Sequence, residues 1–195
     1  MPTEKAGDGE VSAATVNWVT QTSFDPPLVA IGVKADLGAY QTLKKAGCFA
    51  LNFLGKGQQG LAFTFSKPAE VEDGKISGET YRDGSTESPL LASAPACVEY
   101  KAVEIVERGD HHIVVGEAVN VHAEAAIDGC PDDAILHMRE IGDNVFYGGL
   151  PATWTAPPEN QEGRRARPLG YFISTAFLNR ATSSLGVAMV LLMIF

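Results

Sequence analysis

The stretch Thr15-Val16-Asn17-Trp18-Val19-Thr20-Gln21-Thr22-Ser23-Phe24-Asp25-Pro26-Pro27-Leu28-Val29-Ala30-Ile31-Gly32-Val33 decides the fold class. From Ala13 to Ser23 the chain mixes β-branched and aromatic residues, which suit a pleated, half-buried strand, and Phe24-Asp25-Pro26-Pro27 stops it. Leu28 to Val33 is a continuous apolar run too brief for a helix, so it reads as a strand buried on both faces.

Outward from this stretch, Asp36 is placed as an N-cap. Leu37, Tyr40 and Leu43 follow at three-residue spacing, and Gly47 stands as a C′ residue, which together predict a short amphipathic helix. Cys48 to Leu54 returns to strand character. Gln58 to Phe65 predicts a second helix, ended before Pro68. Lys67 to Leu90 is rich in Gly, Asp, Glu and Ser and reads as a long excursion with little regular structure. Two further strands are predicted over Ala96–Arg108 and His111–Ala123. In the second, Val119, Val121 and Ala123 alternate with polar neighbours, and Arg108-Gly109-Asp110 forms the hairpin turn between the two. Asp132 or Asp133 caps a last helix through Glu140. Several short strands, a few small helices and no regular βαβ alternation indicate a mainly β, antiparallel barrel.

The chain has 195 residues, 45% hydrophobic, with a net charge of −9. That length buries a core without disulfides or metals. The acidic balance argues against a sequence-independent nucleic-acid binder, whose affinity comes from Lys and Arg. Cys48, Cys97 and Cys130 form no C-x-x-C pair, which suggests neither a zinc site nor a redox dithiol. They read as reduced, mostly buried thiols of a cytoplasmic protein. No metal ligation is expected, and His122 and His137 stand isolated.

Residues 1–10 lack an apolar signal segment and read as a disordered end, residues 11–150 as the folded body, and Pro-, Gly-, Glu- and Arg-rich residues 151–168 as a linker. Residues 169–195 form an apolar tail whose only charge is Arg180. It has the length of a membrane anchor and a flank of Arg164, Arg165 and Arg167, but a charge near its middle opposes that use. Docking on the barrel or on a partner copy, or no role at all, are the other readings.

Phosphate-binding, dinucleotide, zinc-protease and nucleophile-elbow motifs are missing from the sequence. Two regions can carry chemistry. Thr15 to Gln21 places hydroxyl, amide and indole groups in close succession. It is either a polar edge for a flat heterocycle or an ordinary solvent-facing strand. Gly109-Asp110-His111-His112 sets a histidine beside a carboxylate that can hold one tautomer. It is either a poised proton or hydrogen-bond donor or a plain turn.

Taken together, Ser12 to Val29, Gly47-Cys48-Phe49-Ala50-Leu51-Asn52-Phe53-Leu54, Leu61 to Phe65 and Gly109-Asp110-His111-His112-Ile113-Val114-Val115-Gly116-Glu117 resemble, in order, the flavin reductase-like, FMN-binding split-barrel family. Arg139-Glu140 to Tyr147-Gly148-Gly149 is also similar, so the resemblance covers about residues 11–150. It implies a six-stranded antiparallel Greek-key split barrel with two or three short helices. It also implies a homodimer, FMN (or FAD) near the subunit interface, and NADH or NADPH as electron donor.

By position, the resemblance implies that Thr15, Asn17, Trp18, Val19 and Thr20 line the flavin ring. Lys34, Asp36, Gly38 and Tyr40 would approach the ribityl phosphate, with Asn52, Phe65, Ser66 and Lys67 at the same end. His111, with Asp110, would stand near the nicotinamide or the ring as the catalytic pair. The sequence departs from the pattern at Leu37 and Ala39, where hydroxyl residues are usual, in residues 1–10, which do not read as the family's first strand, and in the tail. The function implied is NAD(P)H-dependent reduction of FMN by hydride transfer, with electrons passed to an unknown acceptor for which a protein is one candidate. The alternatives are a flavin electron carrier reduced by a partner protein and a barrel that has lost flavin.

Overall fold

The computed structural model describes residues 1–123 and 130–141. The expectations for the linker at 151–168, the tail at 169–195 and the end of the body near Leu150 lie outside the described residues. In chain order the elements are β1 (Pro2–Lys5), β2 (Val11–Ala13), β3 (Val19–Phe24), β4 (Pro27–Lys34), α1 (Gly38–Ala46), β5 (Cys48–Phe53) and α2 (Gln59–Thr64). There follow β6 (Val71–Glu72), β7 (Lys75–Ile76), β8 (Glu79–Asp83), β9 (Pro89–Leu91), β10 (Ala96–Val106), β11 (His111–Ala123), a 3-10 turn (Pro131–Asp133) and α3 (Met138–Ile141).

Seven strands form one sheet in the order β2-β1-β5-β10-β11-β4-β3, and four form a second in the order β6-β7-β8-β9. Neighbouring strands are antiparallel throughout, so the mainly β, antiparallel expectation holds. The main sheet has one strand more than expected. The extra pairing comes from residues 1–13, where the disordered end predicted for 1–10 is replaced by β1, set between β2 and β5. Its polar composition hid it: Thr3 is fully buried, yet its hydroxyl is satisfied by the Pro89 carbonyl at 2.5 Å.

Three further expectations are corrected. The long strand predicted from Ala13 to Ser23 is broken, with residues 14–18 outside any strand. The excursion at 67–90 is not irregular but supplies the second sheet. The last helix is reduced to the 3-10 turn and the four residues of α3.

The core lies inside the main sheet, where Val29, Ile31, Val33, Phe49, Leu51, Val98, Tyr100 and Val114 meet under Tyr40 and Leu43 of α1. Phe49 and Tyr100 stack at 5.1 Å. A second core of Ala50, Phe65, Ile76, Leu90, Leu91, Ala94 and Cys97 joins β5 to the small sheet. Strand β5 is therefore buried on both faces from Phe49 to Phe53. In β4 only Val29, Ile31 and Val33 are buried, while Leu28, Ala30 and Gly32 alternate outward and are half-covered.

Helix α1 starts one residue later than predicted. Leu37 occupies the N-cap without a side-chain cap bond, and the Asp36 carboxylate instead accepts from Lys34 Nζ at 3.0 Å. Gly47 ends the helix in the left-handed conformation as expected, at φ 67°, and Gly109 turns the β10–β11 hairpin at φ 72°. The cysteines are free; Cys97 is buried, Cys48 half-buried and Cys130 exposed, which corrects the expectation of mostly buried thiols. Among the described residues no helix is long and apolar enough to cross a membrane, and no cluster of metal-ligating side chains occurs.

Candidate functional site

The non-strand segment 14–18 is held at two points. At one, Thr15 donates its backbone N–H to the Phe65 carbonyl at 2.8 Å and its hydroxyl to the Ala62 carbonyl at 2.8 Å. At the other, the Trp18 carbonyl accepts the Gly32 N–H at 2.8 Å. Between these anchors Val16 and Asn17 run without a ladder of their own and line a cleft with Thr15, Val19, Leu54 and Ile135. The lining also takes in Asn52, Phe53, Ala62 and Leu136, so it is largely apolar with a few polar groups.

On the outer face of β4 the segment presents Trp18, 45% exposed, whose ring meets the His111 imidazole at 4.5 Å between centroids with a 41° tilt. His111 begins β11 opposite Lys34 of β4. Its Nδ1 lies 3.2 Å from Asp110 Oδ1, so the carboxylate accepts from Nδ1–H. That bond holds the Asp110 carboxyl below the usual carboxylate range. Indole, imidazole, ammonium and carboxylate thus converge at the paired ends of β4 and β11.

The predicted set divides into three groups. Thr15, Asn17 and Val19 share the cleft, with Asn52 in its wall. Trp18, Lys34, Asp36, Asp110 and His111 gather on the outer face, where Thr20 is exposed nearby in β3. Gly38, at the first turn of α1, is exposed two residues beyond Asp36.

Tyr40, Phe65, Ser66 and Lys67 are placed elsewhere, and Asn52, though in the cleft wall, has its side chain engaged. Tyr40 is 1% exposed, and its hydroxyl donates to Glu107 Oε1 at 2.7 Å. Burial, and then Glu107, push the Tyr40 hydroxyl up to about 12, so it faces a carboxylate rather than an anion site. Asn52 is fully buried, donating to Thr3 Oγ1 at 2.8 Å and accepting the Leu91 N–H at 2.8 Å and the Cys97 thiol at 3.1 Å. It is a tie between the two sheets. Phe65 belongs to the second core, Ser66 turns its hydroxyl back on the Phe63 carbonyl at 2.6 Å, and Lys67 is exposed beside Glu70 and Glu72.

Sequence reasoning missed the apolar walls Val16, Leu54, Ile135 and Leu136, which come from separate segments and share no local signal. It also missed Gly32, which lies directly under Trp18. A glycine inside a strand is the signal that marks such a close approach.

The cleft fits a flat heterocycle with a polar edge, having an extended backbone between two anchors, apolar walls and Asn17 among them. The Trp18 ring stands outside its lining, on the outer face of β4. For a phosphate the residues present offer less, because Lys34 is already engaged by Asp36 and positions 37 and 39 carry no hydroxyl.

The chain is similar to known proteins. The sequence model of the family described as "Flavin reductase like domain" matches residues 3–140. A flavin reductase from Pseudomonas putida is 30% identical over 145 residues, covering 74% of this chain and 78% of its own. The crystal structure of an FMN-binding protein from Thermus thermophilus superposes with a TM-score of 0.57 at 29% identity, over 63% of this chain and 69% of that one. An NADH:FAD oxidoreductase from Streptomyces globisporus gives 0.54 at 30% identity, over 63% and 72%.

Proposed function

The chain belongs to the flavin reductase-like family, and on that premise we propose that it is an NAD(P)H-dependent flavin reductase of split-barrel fold, taking FMN or FAD. The observation that carries this reading is the Trp18–His111 contact beside the segment tied to Phe65 and Gly32. Hydride acceptance is the chemistry a bound flavin supplies. The protein's own residues bind and orient. Thr15, Val16 and Asn17 offer backbone and side-chain groups to the polar edge of the ring, Val19 and its neighbours exclude water, and Trp18 covers the outer side. His111, with Nδ1–H held by Asp110, keeps Nε2 for a hydrogen bond to nicotinamide or flavin. Lys34 and the first turn of α1, including Gly38, face the phosphate, the helix N-terminus adding its partial positive charge.

A homodimer fits the exposed apolar side chains Trp18, Ile113 and Val119, which an isolated protomer leaves partly to water. The free thiols favour a cytoplasmic setting.

Absorbance spectroscopy tests the proposal. Protein mixed with FMN should bleach on addition of NADH or NADPH without any other protein. Bound flavin that stays oxidised with both nucleotides would refute the reductase and leave an electron carrier served by a partner protein. Trp18→Ala should weaken flavin binding, and His111→Ala should slow turnover at a fixed nicotinamide concentration through a raised KM, with flavin affinity largely kept. Wild-type behaviour of both variants would overturn the placement of the site.

A further inference from the structure

Gly32 sits in the interior of β4, where a glycine costs stability because it loses the most freedom on folding and packs no side chain. Its backbone is not in the left-handed region, so conformation does not demand glycine there. Space does. A Cβ built at position 32 would stand 2.9 Å from Trp18 Cε3 and 3.1 Å from Trp18 Cβ, both inside ordinary contact. The second distance matters more. An indole can swing about its side-chain bonds, but Trp18 Cβ is fixed by a backbone whose carbonyl accepts the Gly32 N–H at 2.8 Å. A methyl group at 32 must therefore turn the ring away and also push Trp18 Cβ back from β4.

What the indole would leave behind is His111. Across the β4–β11 pairing, Gly32 lies opposite Ile113 and Lys34 opposite His111, so the Trp18 ring, resting on β4, reaches the imidazole that starts β11. His111 has two supports of different kinds, the Asp110 carboxylate at Nδ1 and the indole against its ring. Asp110 is almost fully solvent-exposed, and an exposed pair of this kind orients weakly. The indole is the stiffer of the two supports, and it is seated by the missing side chain at 32. Gly116 is the informative contrast. Its missing side chain makes room for Phe49 of the core, whereas the room at Gly32 is filled by a half-exposed ring of the site.

We infer that Gly32 is a positioning residue for the reaction: the absence of a side chain there seats Trp18 against β4, and the seated indole holds His111 in place. The inference rests on the reading of His111 as a nicotinamide- or flavin-facing residue.

The test is Gly32→Ala, with two readouts. The first needs no flavin: the imidazole C–H proton resonances of His111, shifted by the indole ring current in the native protein, should move toward their values in Trp18→Ala. The second is kinetic: KM for the nicotinamide should rise about tenfold with kcat changed less than about twofold. In a Trp18→Gly background, which lacks both the ring and the Cβ, adding Gly32→Ala should change neither readout further, because the clash has gone. Native resonances and native KM in folded Gly32→Ala would overturn the inference. Moved resonances with an unchanged KM would instead refute the role of His111 on which it rests. Should Gly32→Ala not fold, the double variant with Trp18→Gly carries the test: it should fold and match Trp18→Gly, and a further loss in KM would overturn the seat.

Discussion

The fully buried carboxylate of Glu99 in β10 accepts a 2.6 Å hydrogen bond from His122 Nε2 in β11, and His122 Nδ1 in turn lies 3.3 Å from the Arg82 guanidinium. Arginine only donates, so Nδ1 is the acceptor and the proton sits on Nε2. Glu99 also accepts from the Thr86 hydroxyl and N–H, both at 2.6 Å, and from the Ser85 N–H at 3.1 Å. One side chain thereby pins the loop before β9 to the main sheet. Burial by itself would raise the carboxyl, but the bonds from Thr86, His122 and Ser85 outweigh it and hold it at about 2.

A depressed carboxyl stabilises the fold above its unfolded value near 4.5, and that stabilisation is lost as pH falls from there toward 2. At pH 7 Glu99→Gln should cost on the order of 2–3 kcal/mol in urea unfolding, and the difference from the native protein should shrink at pH 3. A penalty that is the same at both pH values would contradict the assignment.

Glu4 predicts the opposite slope in a neighbouring window. It is fully buried in β1, and neither carboxylate oxygen has a hydrogen-bond partner among the described residues. Burial pushes its carboxyl well above 4.5, and the Ser12 hydroxyl beside it offsets only part of that. With the folded value raised, stability is full below 4.5 and declines as pH rises toward the folded value. Unfolding at pH 5 and pH 7 should show the native protein losing stability relative to Glu4→Gln over that interval.

Lys34 and Asp36 form an exposed pair at 3.0 Å at the entrance to α1. If Lys34 serves the flavin phosphate, Asp36 competes with it rather than helping. Titration with FMN and with riboflavin separates these effects. Lys34→Gln should weaken FMN by about tenfold and leave riboflavin unchanged, whereas Asp36→Asn should tighten FMN by a few-fold. Equal effects on both flavins would remove Lys34 from the phosphate site.

Asn52 joins β1, β9 and β10 through three buried bonds. Asn52→Ala strands the partners Thr3 and Leu91, so the fold should lose about 2–4 kcal/mol. Folded Asn52→Ala should still bind flavin within a few-fold of the native protein. A selective loss of flavin affinity with native stability would return Asn52 to the binding site.

The local grammar of the chain was legible. Gly47 and Gly109 end a helix and turn a hairpin because their positive φ is a property of glycine itself. The apolar run of β4 and the alternation of β11 follow from strand periodicity, and Trp18 and His111 were recognisable as chemistry-bearing side chains. What the sequence could not show depends on partners distant along the chain. Pro2–Lys5 reads as frayed because its polar side chains have no local partners, and it becomes a strand only when β5 and the Pro89 carbonyl, 86 positions from Thr3, come to meet it. That Asn52, given by the resemblance as a candidate binding residue, also ties the two sheets was hidden for the same reason.

The sequence by itself determined a mainly β, antiparallel chain carrying an indole, an imidazole and an extended polar segment, because backbone periodicity and turn chemistry are set within a few residues. Tertiary structure alone decided which of those groups meet. The Trp18 ring lies on β4 and touches His111 because the strand beneath it has no side chain at position 32 and its neighbour β11 is in register to receive it. Register and close approach are properties of paired strands, and no single segment encodes them.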